Sequence, residues 1–578
     1  MVDRPTTLIA GLRATARDLG NDHGILYYDA PDSTTYRGYA DLEAIAKQLA
    51  DALARRGYAP GGTAIIGVHD ALSWVDAAYG AIYAGLAFVP APVAGYGAGA
   101  HLGHSVANIA KAAEASVIIV DAALYERLGG ADSDLDVPVV LLEDLLAEGD
   151  GSNWVDPETT SESMAYLLFT SGSTGDPKGV ITSNGAITAT SDAMRELFKM
   201  DRDATVVGWA PMHHIMGLAL QALNPATNGA NVVVCSTELF QKRPIFWLQL
   251  ISRHRGTMSA AGNFAFDLCT KFATDEQVAD LDLSSVVSLL SGSEPVRADT
   301  VRAFLERFSS TGITENAIAP VMGMTEAMMV SGKFAGDPLR IERFDHAELE
   351  AGRLVRAEGE GTVEWVSCGK TPEGTHVVIV NPDTLTPVTE GTVGEIWISS
   401  PMVSPGYFRR PDATAETFGQ KLPGDSRPYM RTGDLAAVLD GQLYVTGRLK
   451  EMLIVRGRNI YPQDIEAGAR TVSPAVGIGA AFDLTGHPSE FGLVFETSEE
   501  ALAEAGETAE SLAERVRKEV VDGISLPSLA VAVIPEGTLP RTPTGKVRRT
   551  PTRAMIEAGT VETLFTRGFR PVKLTSVP

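Results

Sequence analysis

The sequence predicts an α/β fold with a large multilayer N-terminal region of mostly parallel sheets and a smaller α/β C-terminal domain. The chain has 578 residues, more than one ordinary domain holds. Up to residue 393, short apolar runs alternate with helical stretches, as in parallel strands that are joined by helices. Beyond that residue the strand patterns follow one another directly, which predicts a small barrel-like β part.

Buried strands in the N-terminal region are predicted from apolar runs that are too short to be buried helices. A strand-like start at residues 33–36 precedes an amphipathic helix at residues 39–56. The apolar runs lie at residues 64–67, 86–89, 117–120, 137–142, 164–169, 206–209, 231–234, 286–290 and 318–321. Because helical or loop segments separate these runs, we expect them to form parallel layers.

The strands after residue 393 are predicted to pair as hairpins. Residues 394–398, 435–439 and 443–446 are apolar, and Asp440 and Gly441 separate the last two runs. An Asp-Gly pair between two apolar strands is a strong indication of a two-residue turn.

A domain boundary is predicted near Lys450, which divides the chain into residues 1–449 and 450–578. The second part has its own strand patterns and its own helical patterns. The strands are expected at residues 452–455, 475–481, 492–496 and 530–534, a further strand or helix signal lies at 464–469, and a helix is expected at 510–521. About 125 residues of this kind suffice for a small α/β domain.

Composition and charge argue against several classes of protein. The apolar fraction of 44% and the charged fraction of 21% are typical of globular proteins. A net charge of −25 disfavours binding to nucleic acid or to an anionic membrane. Cys235, Cys269 and Cys368 are scattered without metal-ligand spacing, which indicates a reducing compartment. We expect a cytoplasmic protein without a nucleic-acid partner, and the oligomeric state stays open.

One uncharged run, residues 77–100, is long enough to raise the question of a membrane span. Pro90, Pro92 and several glycines interrupt the run and would break a spanning helix. A buried helix, a turn at Gly85 and a short strand fit the run better. The N-terminus also lacks a charged-then-apolar signal pattern, so we expect no integral membrane segment.

A loop of glycines and small hydroxyl residues follows the predicted strand at residues 164–169. Glycines let the backbone approach a ligand closely, hydroxyl groups add hydrogen-bond donors, and a lysine adds a mobile positive charge. Such a loop suits phosphate oxygens, although it lacks the Walker pattern and similar loops also serve as turns or linkers. The residues concerned are Thr170, Ser171, Gly172, Ser173, Thr174, Gly175 and Lys178.

Four further short motifs follow this loop in the chain. Residues 323–327 are Gly-Met-Thr-Glu-Ala, and residues 429–434 are Tyr-Met-Arg-Thr-Gly-Asp. Residues 447–451 are Gly-Arg-Leu-Lys-Glu, and residues 543–546 are Pro-Thr-Gly-Lys. Together with the loop, and in this order, they resemble the motifs of the acyl-adenylate-forming superfamily. That group contains acyl-CoA synthetases, luciferases, adenylation domains of peptide synthetases and fatty acyl-AMP ligases. Ordered motifs are far more specific than any single one, and the resemblance covers nearly the whole chain.

The resemblance implies an enzyme that uses ATP and Mg²⁺ to convert a small-molecule carboxylic acid to an acyl-adenylate, with release of pyrophosphate. It implies that residues 170–178 hold the β- and γ-phosphates and that Thr325 contacts the α-phosphate. Glu326 would coordinate Mg²⁺. Lys546 would be the catalytic lysine, which bridges oxygens of the acid and of the α-phosphate. Because two anions must approach each other, positioned cations and N–H donors carry most of the catalysis.

The same resemblance assigns residues to the nucleoside of ATP. Asp434 would accept hydrogen bonds from both ribose hydroxyls, and Arg448 would lie beside the ribose or the phosphates. The turn after the run at 286–290 would hold the adenine. The residues of this turn and two residues of the 323–327 motif are Gly292, Ser293, Glu294, Gly323 and Met324. From the residues alone, the turn leads into a helix with Pro295 at its first position.

An apolar segment after the run at 206–209 resembles the wall of the acyl pocket in this family. His214 matches a gating His or aromatic residue and is a candidate catalytic residue. Fatty acyl-AMP ligases usually have Asp directly after this His, whereas this chain has Ile215, which argues against an ordinary straight-chain acid. Methionine linings adapt to irregular ligands, but these side chains could also be ordinary core packing. The predicted pocket residues are Met212, His213, Ile215, Met216, Gly262, Asn263 and Phe264.

Three parts of the chain resemble the fatty acyl-AMP ligase branch more closely than the acyl-CoA synthetases. They are residues 243–248 with 259–269, residues 350–369, and residues 447–466. In that branch an insertion, here at residues 333–369, limits rotation of a mobile C-terminal domain and disfavours CoA. The resemblance therefore implies transfer of the acyl group to the phosphopantetheine thiol of an acyl carrier protein. Lys450 would be the hinge between the two half-reactions.

Two alternatives remain open from the sequence. The first is an acyl-CoA synthetase that acts on a bulky acid such as a terpenoid, polyketide or aryl carboxylate, with CoA as acceptor. The second is a noncatalytic relative that binds nucleotide or acyl ligand. The presence of Lys546, Glu326 and Asp434 argues against the second alternative. A basic stretch at residues 541–553 could receive an acidic carrier protein or a CoA phosphate.

Overall fold

The computed structural model describes residues 4–93, 102–130, 135–170, 178–455, 458–484, 487–524, 526–542 and 546–569. Two large, mostly parallel sheets are followed by an antiparallel β part and by a small C-terminal sheet. The predicted fold class is therefore confirmed. No helix in these ranges is both long and apolar enough to cross a membrane.

The first fourteen strands form the two large sheets. In chain order they are β1 (Gly24–Ala30), β2 (Ser33–Gly38), β3 (Thr63–Gly67), β4 (Ala87–Pro90), β5 (Val117–Val120), β6 (Val139–Leu141), β7 (Met164–Thr170), β8 (Lys178–Ser183), β9 (Thr205–Gly208), β10 (Asn231–Cys235), β11 (Met258–Ala261), β12 (Ser288–Ser291), β13 (Ile318–Met324) and β14 (Met328–Gly332). The strand orders are β14-β13-β12-β11-β9-β10-β1-β2 and β6-β5-β3-β4-β7-β8. Only the edge strands β2, β14 and β8 pair antiparallel to their neighbours.

Helices cover the faces of both sheets. In chain order they are α1 (Leu8–Leu19), α2 (Tyr39–Arg55), α3 (Ala71–Tyr83), α4 (Leu102–Ala112), α5 (Ala122–Arg127), α6 (Leu142–Glu148), α7 (Asn184–Phe198), α8 (Ile215–Gly217), α9 (Asn224–Asn228), α10 (Thr237–Lys242), α11 (Ile245–Arg253), α12 (Asn263–Phe272), α13 (Asp275–Ala279) and α14 (Ala298–Arg307). A π-helical segment, Leu218–Leu223, joins α8 to α9.

Helices α2 and α3 share one apolar cluster with both sheets. Leu49 of α2 and Tyr79 of α3 belong to the same buried cluster as Ile66 of one sheet and Val232 of the other. The two helices approach each other closely at Gly80, where a Cβ atom would lie 2.6 Å from the Cβ of Leu49. The shared cluster holds the two sheets together, so that strand ends from both can contribute to one site.

The antiparallel β part follows these sheets. Its elements are β15 (Ile341–Asp345), α15 (His346–Glu350), β16 (Thr362–Val366), β17 (His376–Val380), β18 (Gly394–Ser399), α16 (Pro411–Thr417), β19 (Gln420–Leu422), β20 (Asp425–Leu439) and β21 (Gln442–Arg448). Strands β20 and β21 pair next to a two-residue turn in which Asp440 and Gly441 both have positive φ, +51° and +69°. This is the geometry that an Asp-Gly turn favours, and the predicted hairpin is confirmed.

The C-terminal elements have apolar clusters of their own. The elements are β22 (Leu453–Val455), β23 (Arg458–Ile460), α17 (Pro462–Val472), β24 (Gly479–Leu484), β25 (His487–Thr497), α18 (Glu499–Ala505), α19 (Ala509–Ile524), β26 (Leu529–Pro535), α20 (Arg549–Glu557) and β27 (Phe565–Arg567). Ile465, Phe491, Leu512 and Val531 are fully buried in the main cluster. The division of the chain at Lys450 stays a prediction.

Two local predictions differ from the structure. The helix after β12 begins at Ala298, so Pro295 is not its first residue. The strand predicted at residues 475–481 begins only at Gly479, because the Val476 amide donates to the Ser473 carbonyl in a turn. The uncharged run at 77–100 contains the end of α3, Gly85 with φ of +72°, and β4, and its residues 94–100 lie outside the described residues.

Candidate active site

The predicted ATP-site residues lie at the carboxyl ends of neighbouring parallel strands. Gly292, Ser293 and Glu294 follow β12 directly, and Gly323 and Met324 end β13. In open α/β sheets, ligands bind at this edge. The candidate catalytic residues Thr325 and Glu326 occupy the turn between β13 and β14, next to the same edge.

The turn after β12 has little space for larger residues. A Cβ atom at Gly292 would lie 2.6 Å from Cγ2 of Val321 on the neighbouring strand. Ser293 has a φ of +67°, which is uncommon for a residue other than glycine. Glu294 reaches back towards β11, since a Cβ atom at Gly262 would lie 3.1 Å from its Oε1 atom. The turn is therefore a tightly fitted platform that places Glu294 against the end of β11.

The predicted phosphate loop is described only at its two ends. Thr170 ends β7 and pairs with Lys178, the first residue of β8. The other loop residues predicted to bind phosphate lie outside the described residues: Ser171, Gly172, Ser173, Thr174 and Gly175.

An ion pair between a buried carboxylate and an exposed guanidinium joins the two strands of the β20–β21 hairpin. Asp434 is only 6% exposed and lies directly opposite Arg448, whose Nε donates to its Oδ1 over 3.0 Å. Burial raises the pKa of Asp434, and the charges of Arg448 and Lys546 oppose that rise. The arrangement places a carboxylate next to two cations, which suits a group that must accept hydrogen bonds while it stays ionised.

Glu326 is half-buried and has a phenol as its partner. The Tyr407 O–H donates to Oε1 of Glu326 over 3.1 Å. Burial raises the pKa of Glu326, while hydrogen bonds, including that from Tyr407, and the charge of Arg448 act in the opposite direction.

Tyr407 connects two parts of the site and was not among the residues that the motifs predicted. Its ring lies 4.9 Å from Nζ of Lys178, a cation–π distance. Its own segment is bonded to β8, because the Phe408 amide donates to Gly179 over 2.8 Å and the Ile181 amide donates to Gly406 over 3.1 Å. The one available signal was the Pro-Gly pair before Tyr407, which marks a turn.

Two hydrogen bonds of its backbone hold Lys546 next to Thr542. The Thr542 amide donates to the Lys546 carbonyl over 2.7 Å, and the Lys546 amide donates to Oγ1 of Thr542 over 3.1 Å. Burial lowers the pKa of Lys546 first, Arg448 lowers it further, and Glu451 and Glu294 oppose the decrease. The lysine is thus within electrostatic reach of groups from the β20–β21 hairpin and from the turn after β12.

His214 also lies near Lys546. Burial and the nearby charge of Lys546 lower the pKa of His214 to about 4. Its Nδ1 accepts a hydrogen bond from the Met216 amide over 3.2 Å, which leaves Nε2 as the second polar atom of a neutral ring. The structure therefore brings Lys546, His214, Asp434 and Arg448 together from distant parts of the chain.

Ion pairs tie the segment after β21 to the C-terminal elements. Arg549 at the start of α20 donates to Glu451 and to Glu466 of α17, each over 2.8 Å. Burial acts against the positive charge of Arg549, but the two carboxylates outweigh it and raise its pKa. Lys450, the predicted hinge, is exposed and lies just before Glu451.

The predicted acyl-pocket residues fall into two groups. Met212 and His213 line a small cavity at the carboxyl ends of β3, β9 and β10. Ile215 and Met216 instead pack in an apolar cluster beside α7 and β9.

The remaining predicted pocket residues lie next to the turn after β12. Asn263 uses its amide to brace this turn: Nδ2 donates to the Pro295 carbonyl over 2.8 Å, and Oδ1 accepts from the Arg297 amide over 3.0 Å. Phe264 packs edge-on against Trp209, with ring centroids 5.7 Å apart. Gly262 precedes both residues at the end of β11.

The side chains at this site fit a Mg²⁺ ion that would be held mainly by the phosphates of a bound nucleotide. Within the described ranges, no group of three or more His, Cys, Asp or Glu side chains could hold a metal ion. Mg²⁺ usually takes one or two protein carboxylates and completes its shell with phosphate oxygens and water. Glu326, beside Lys178 and Tyr407, offers such a carboxylate.

Comparison with known proteins identifies the family. The family model described as AMP-binding enzyme matches residues 12–408. The chain belongs to the AMP-binding enzyme family, the class of enzymes that use ATP to form acyl-adenylates. This confirms the resemblance that the ordered motifs predicted, while the roles of individual residues stay predictions.

Three known proteins show where in the family the similarity lies. The chain is 35% identical to a medium-chain-fatty-acid–[acyl-carrier-protein] ligase of Moorena producens, over 87% of this chain and 86% of the relative. It is 34% identical to a long-chain-fatty-acid–AMP ligase of Mycobacterium marinum, over 93% of each chain. A solved structure from work on the fatty acyl-adenylate ligases of E. coli and L. pneumophila has a TM-score of 0.86 and 27% identity, over 96% of this chain and 98% of the other.

Proposed function

We propose that the protein activates a hydrophobic carboxylic acid with ATP and Mg²⁺ and passes the acyl group to the phosphopantetheine thiol of an acyl carrier protein. The observation that carries the proposal is the convergence of Lys546, His214, Asp434 and Arg448 beside Glu326. The names of the similar ligases support both half-reactions.

In the first half-reaction a carboxylate oxygen of the acid attacks the α-phosphorus of ATP. The bond from that phosphorus to the bridging oxygen of the β-phosphate breaks, and pyrophosphate leaves. Lys546 carries a positive charge to the point where both anions meet, and Lys178 lies where the leaving phosphates are expected. Asp434 would hold the ribose, with Arg448 keeping its carboxylate ionised. Bound Mg²⁺ would align and neutralise the phosphates, and Glu326 would hold it.

In the second half-reaction the thiol loses its proton, and its sulfur attacks the acyl carbonyl carbon. The bond from that carbon to the AMP oxygen breaks, and AMP leaves. Lys546 has no part in this step and occupies the space beside the adenylate, so the C-terminal elements must move. We place the hinge at Lys450, an exposed residue between the β20–β21 hairpin and the C-terminal elements.

The segment at residues 333–369 supports a carrier protein, rather than CoA, as the acceptor. Helix α15 within it contacts β23 of the C-terminal elements, and Asp464 of α17 lies within electrostatic reach of His346. The segment is anchored at its start because Nζ of Lys333 donates to the carbonyls of Asn316, Phe334 and Asp337. A segment that is fixed at one end and contacts the mobile part would restrict the rotation that CoA-dependent relatives use.

The acceptor can be tested by competition. The enzyme, ATP and an acid that supports adenylation are offered equal concentrations of CoA and a holo-carrier protein, and both thioesters are quantified by mass spectrometry. We expect the carrier thioester to predominate by at least about tenfold, the ratio that a difference of 1.4 kcal/mol gives. Efficient formation of acyl-CoA would instead identify an acyl-CoA synthetase.

Replacement of Tyr407 by Phe should weaken Mg²⁺ use in adenylation. The variant keeps the ring near Lys178 but removes the O–H that donates to Glu326. A single such hydrogen bond contributes about 1 kcal/mol, so the Mg²⁺ concentration for half-maximal adenylation should rise about fivefold. Tyr407→Leu should have a larger effect, because it also removes the ring.

The matched control is Tyr36→Phe, which removes a phenol O–H that donates to the Asn21 carbonyl near the surface. Adenylation by this variant should be unchanged. Transfer from supplied acyl-adenylate should be unchanged in Tyr407→Phe. A loss of transfer as large as the loss of adenylation would show that Tyr407 only supports the fold.

Adenylation should decline in alkaline solution with a midpoint below 10.5, the ordinary pKa of lysine. Burial and Arg448 lower the pKa of Lys546, so its positive charge is present below the lowered pKa and is lost as the pH rises through it. Single-turnover acyl-AMP formation, measured from neutral to alkaline pH, gives the midpoint. In Lys546→Arg the residual rate should lose this decline because arginine keeps its proton. The same midpoint in both proteins would assign the decline to another group.

A further inference from the structure

A buried carboxylate on β18 faces four hydrogen-bond donors beside the β20–β21 hairpin. Glu395 is only 2% exposed. Its Oε2 accepts from Nε1 of Trp397 over 3.0 Å, and from Nε and Nη2 of Arg431 over 3.0 Å and 2.8 Å. Its Oε1 accepts from the Gly433 amide over 3.1 Å. Burying a carboxylate is costly unless a cation and hydrogen bonds replace the lost water, and Glu395 has both.

The Gly433 amide belongs to a bulge of β20 that ends at Asp434. Strands β18 and β20 pair in regular register on both sides of the bulge, but residues 432–434 of β20 lie opposite the single residue 396 of β18. Gly433 has a φ of +71°, a conformation that glycine adopts without strain. Bulges of this kind re-aim side chains next to active sites. The bond from Gly433 to Glu395 therefore holds the bulge that carries Asp434.

The same bulge is bonded to the segment before the proposed hinge. The Gly433 carbonyl accepts from the Leu449 amide over 2.8 Å, and Lys450 is the next residue. One peptide group of Gly433 thus bonds to Glu395 and the next one to the segment before the hinge. Through a single glycine, Glu395 is connected both to the carboxylate that would hold the ribose and to the start of the hinge.

We propose that Glu395 is a positioning residue for ATP, which holds the bulge so that the Asp434 carboxylate can accept hydrogen bonds from both ribose hydroxyls. The inference rests on the proposed function, in which Asp434 holds the ribose. A carboxylate accepts from two neighbouring hydroxyls only when both distances and both angles are suitable, so a backbone shift on the order of 1 Å would lose at least one bond. Glu395 would act through Gly433, without contacting the nucleotide itself.

Glutamine cannot take the place of Glu395 without losing hydrogen bonds. Its side-chain amide has one oxygen and one NH₂ group, whereas donors of the protein surround both oxygens of Glu395. In one orientation the NH₂ group faces Trp397 and Arg431, and in the other it faces the Gly433 amide. A donor meets a donor in both cases, so the bulge must shift, although the size of the side chain is unchanged.

The test is the discrimination between ATP and nucleotides that lack one ribose hydroxyl. Adenylate formation is followed as acid-dependent release of pyrophosphate from ATP, 2′-deoxy-ATP and 3′-deoxy-ATP, with hydroxylamine as the acceptor of the acyl group. For the natural protein, kcat/KM with ATP should exceed that with each analogue about tenfold or more, because hydrogen bonds to a carboxylate are strong. Glu395→Gln should lower both ratios at least about threefold and raise the KM for ATP about tenfold, with little change in the KM for the acid.

Two further variants separate positioning from general stability. Arg431→Gln removes the cation that orients Glu395 but leaves the Gly433 bond in place, and the Arg431 side chain is 30% exposed, so the fold should tolerate the change. This variant should lower both ratios at least about twofold. Asp76→Asn is the matched control, since Asp76 is 3% exposed and accepts from Nε and Nη2 of Arg37 over 3.1 Å and 2.8 Å. It should leave both ratios unchanged, whatever its effect on the melting temperature.

Each outcome decides between the possibilities. Unchanged ratios in Glu395→Gln and Arg431→Gln, even with a lower kcat or melting temperature, would assign Glu395 to stability alone and overturn the inference, while the proposed function stands. If Glu395→Gln does not fold, the ratios of Arg431→Gln decide. Equal use of ATP and both analogues by the natural protein would remove Asp434 from the ribose and overturn the inference as well. Failure to release pyrophosphate with any medium-chain, long-chain or aromatic acid would overturn the proposed function, and this inference with it.

Discussion

Lys546→Ala is expected to reduce acyl-adenylate formation at least about a thousandfold, because a preorganised charge at the reacting oxygens contributes several kcal/mol in a buried site. In the structure, burial and the charge of Arg448 lower the pKa of Lys546, and the carboxylates of Glu451 and Glu294 oppose that decrease. A lysine whose pKa is lowered by burial and by a neighbouring cation is typical of a functional site rather than of a surface ion pair. The measurement is single-turnover acyl-AMP formation, followed by mass spectrometry.

The variant should still transfer an acyl group from supplied acyl-adenylate to the carrier thiol, since Lys546 has no part in that step. Arg548→Ala provides the matched control, because Arg548 is an exposed cation two residues away, and it should leave adenylation unchanged. If Lys546→Ala released pyrophosphate at the normal rate, another cation would hold the catalytic position.

Lys450→Pro is expected to suppress thioester formation by a factor of about a hundred while adenylation changes little. Proline fixes φ near −65°, so a hinge that must change its backbone angles loses one of its two states. Lys450 is exposed, and the hydrogen bonds of this turn run from the Glu451 and Met452 amides to the Arg448 carbonyl. Replacing Lys450 does not remove either of these donors.

Both half-reactions are measured separately, adenylation by pyrophosphate exchange and transfer by thioester formation from supplied acyl-adenylate. Lys450→Ala retains a free φ and serves as the control, with both rates close to those of the natural protein. Equal losses of both rates in Lys450→Pro would place the hinge elsewhere.

Much of the fold could be predicted because a buried parallel strand has a continuous run of apolar residues. Residues 117–120, for example, form β5 with all four side chains buried, and an apolar run is the direct consequence of burial on both faces. Strand β1 was not predicted, although residues 25–28 are apolar. It pairs with β2, the next strand in the chain, and with β10, which is distant in the chain and which no local pattern indicates.

The candidate site was predicted from motifs, and its supporting contacts were not. Tyr407 contacts Glu326 across 81 positions of the chain, so no local pattern indicates the pair. Asn263 was expected in the acyl pocket, but its side chain braces the turn after β12, because the order of strands in the sheet brings that turn beside it.

The central claim is that these converging side chains make an adenylate from ATP and a carboxylic acid, and acid-dependent ATP–pyrophosphate exchange tests it most directly. We predict exchange that requires Mg²⁺ and an added hydrophobic acid, and that is lost in Lys546→Ala. Exchange that does not depend on any added acid, or its absence with medium-chain, long-chain, ketone-bearing and aromatic acids alike, would contradict the claim.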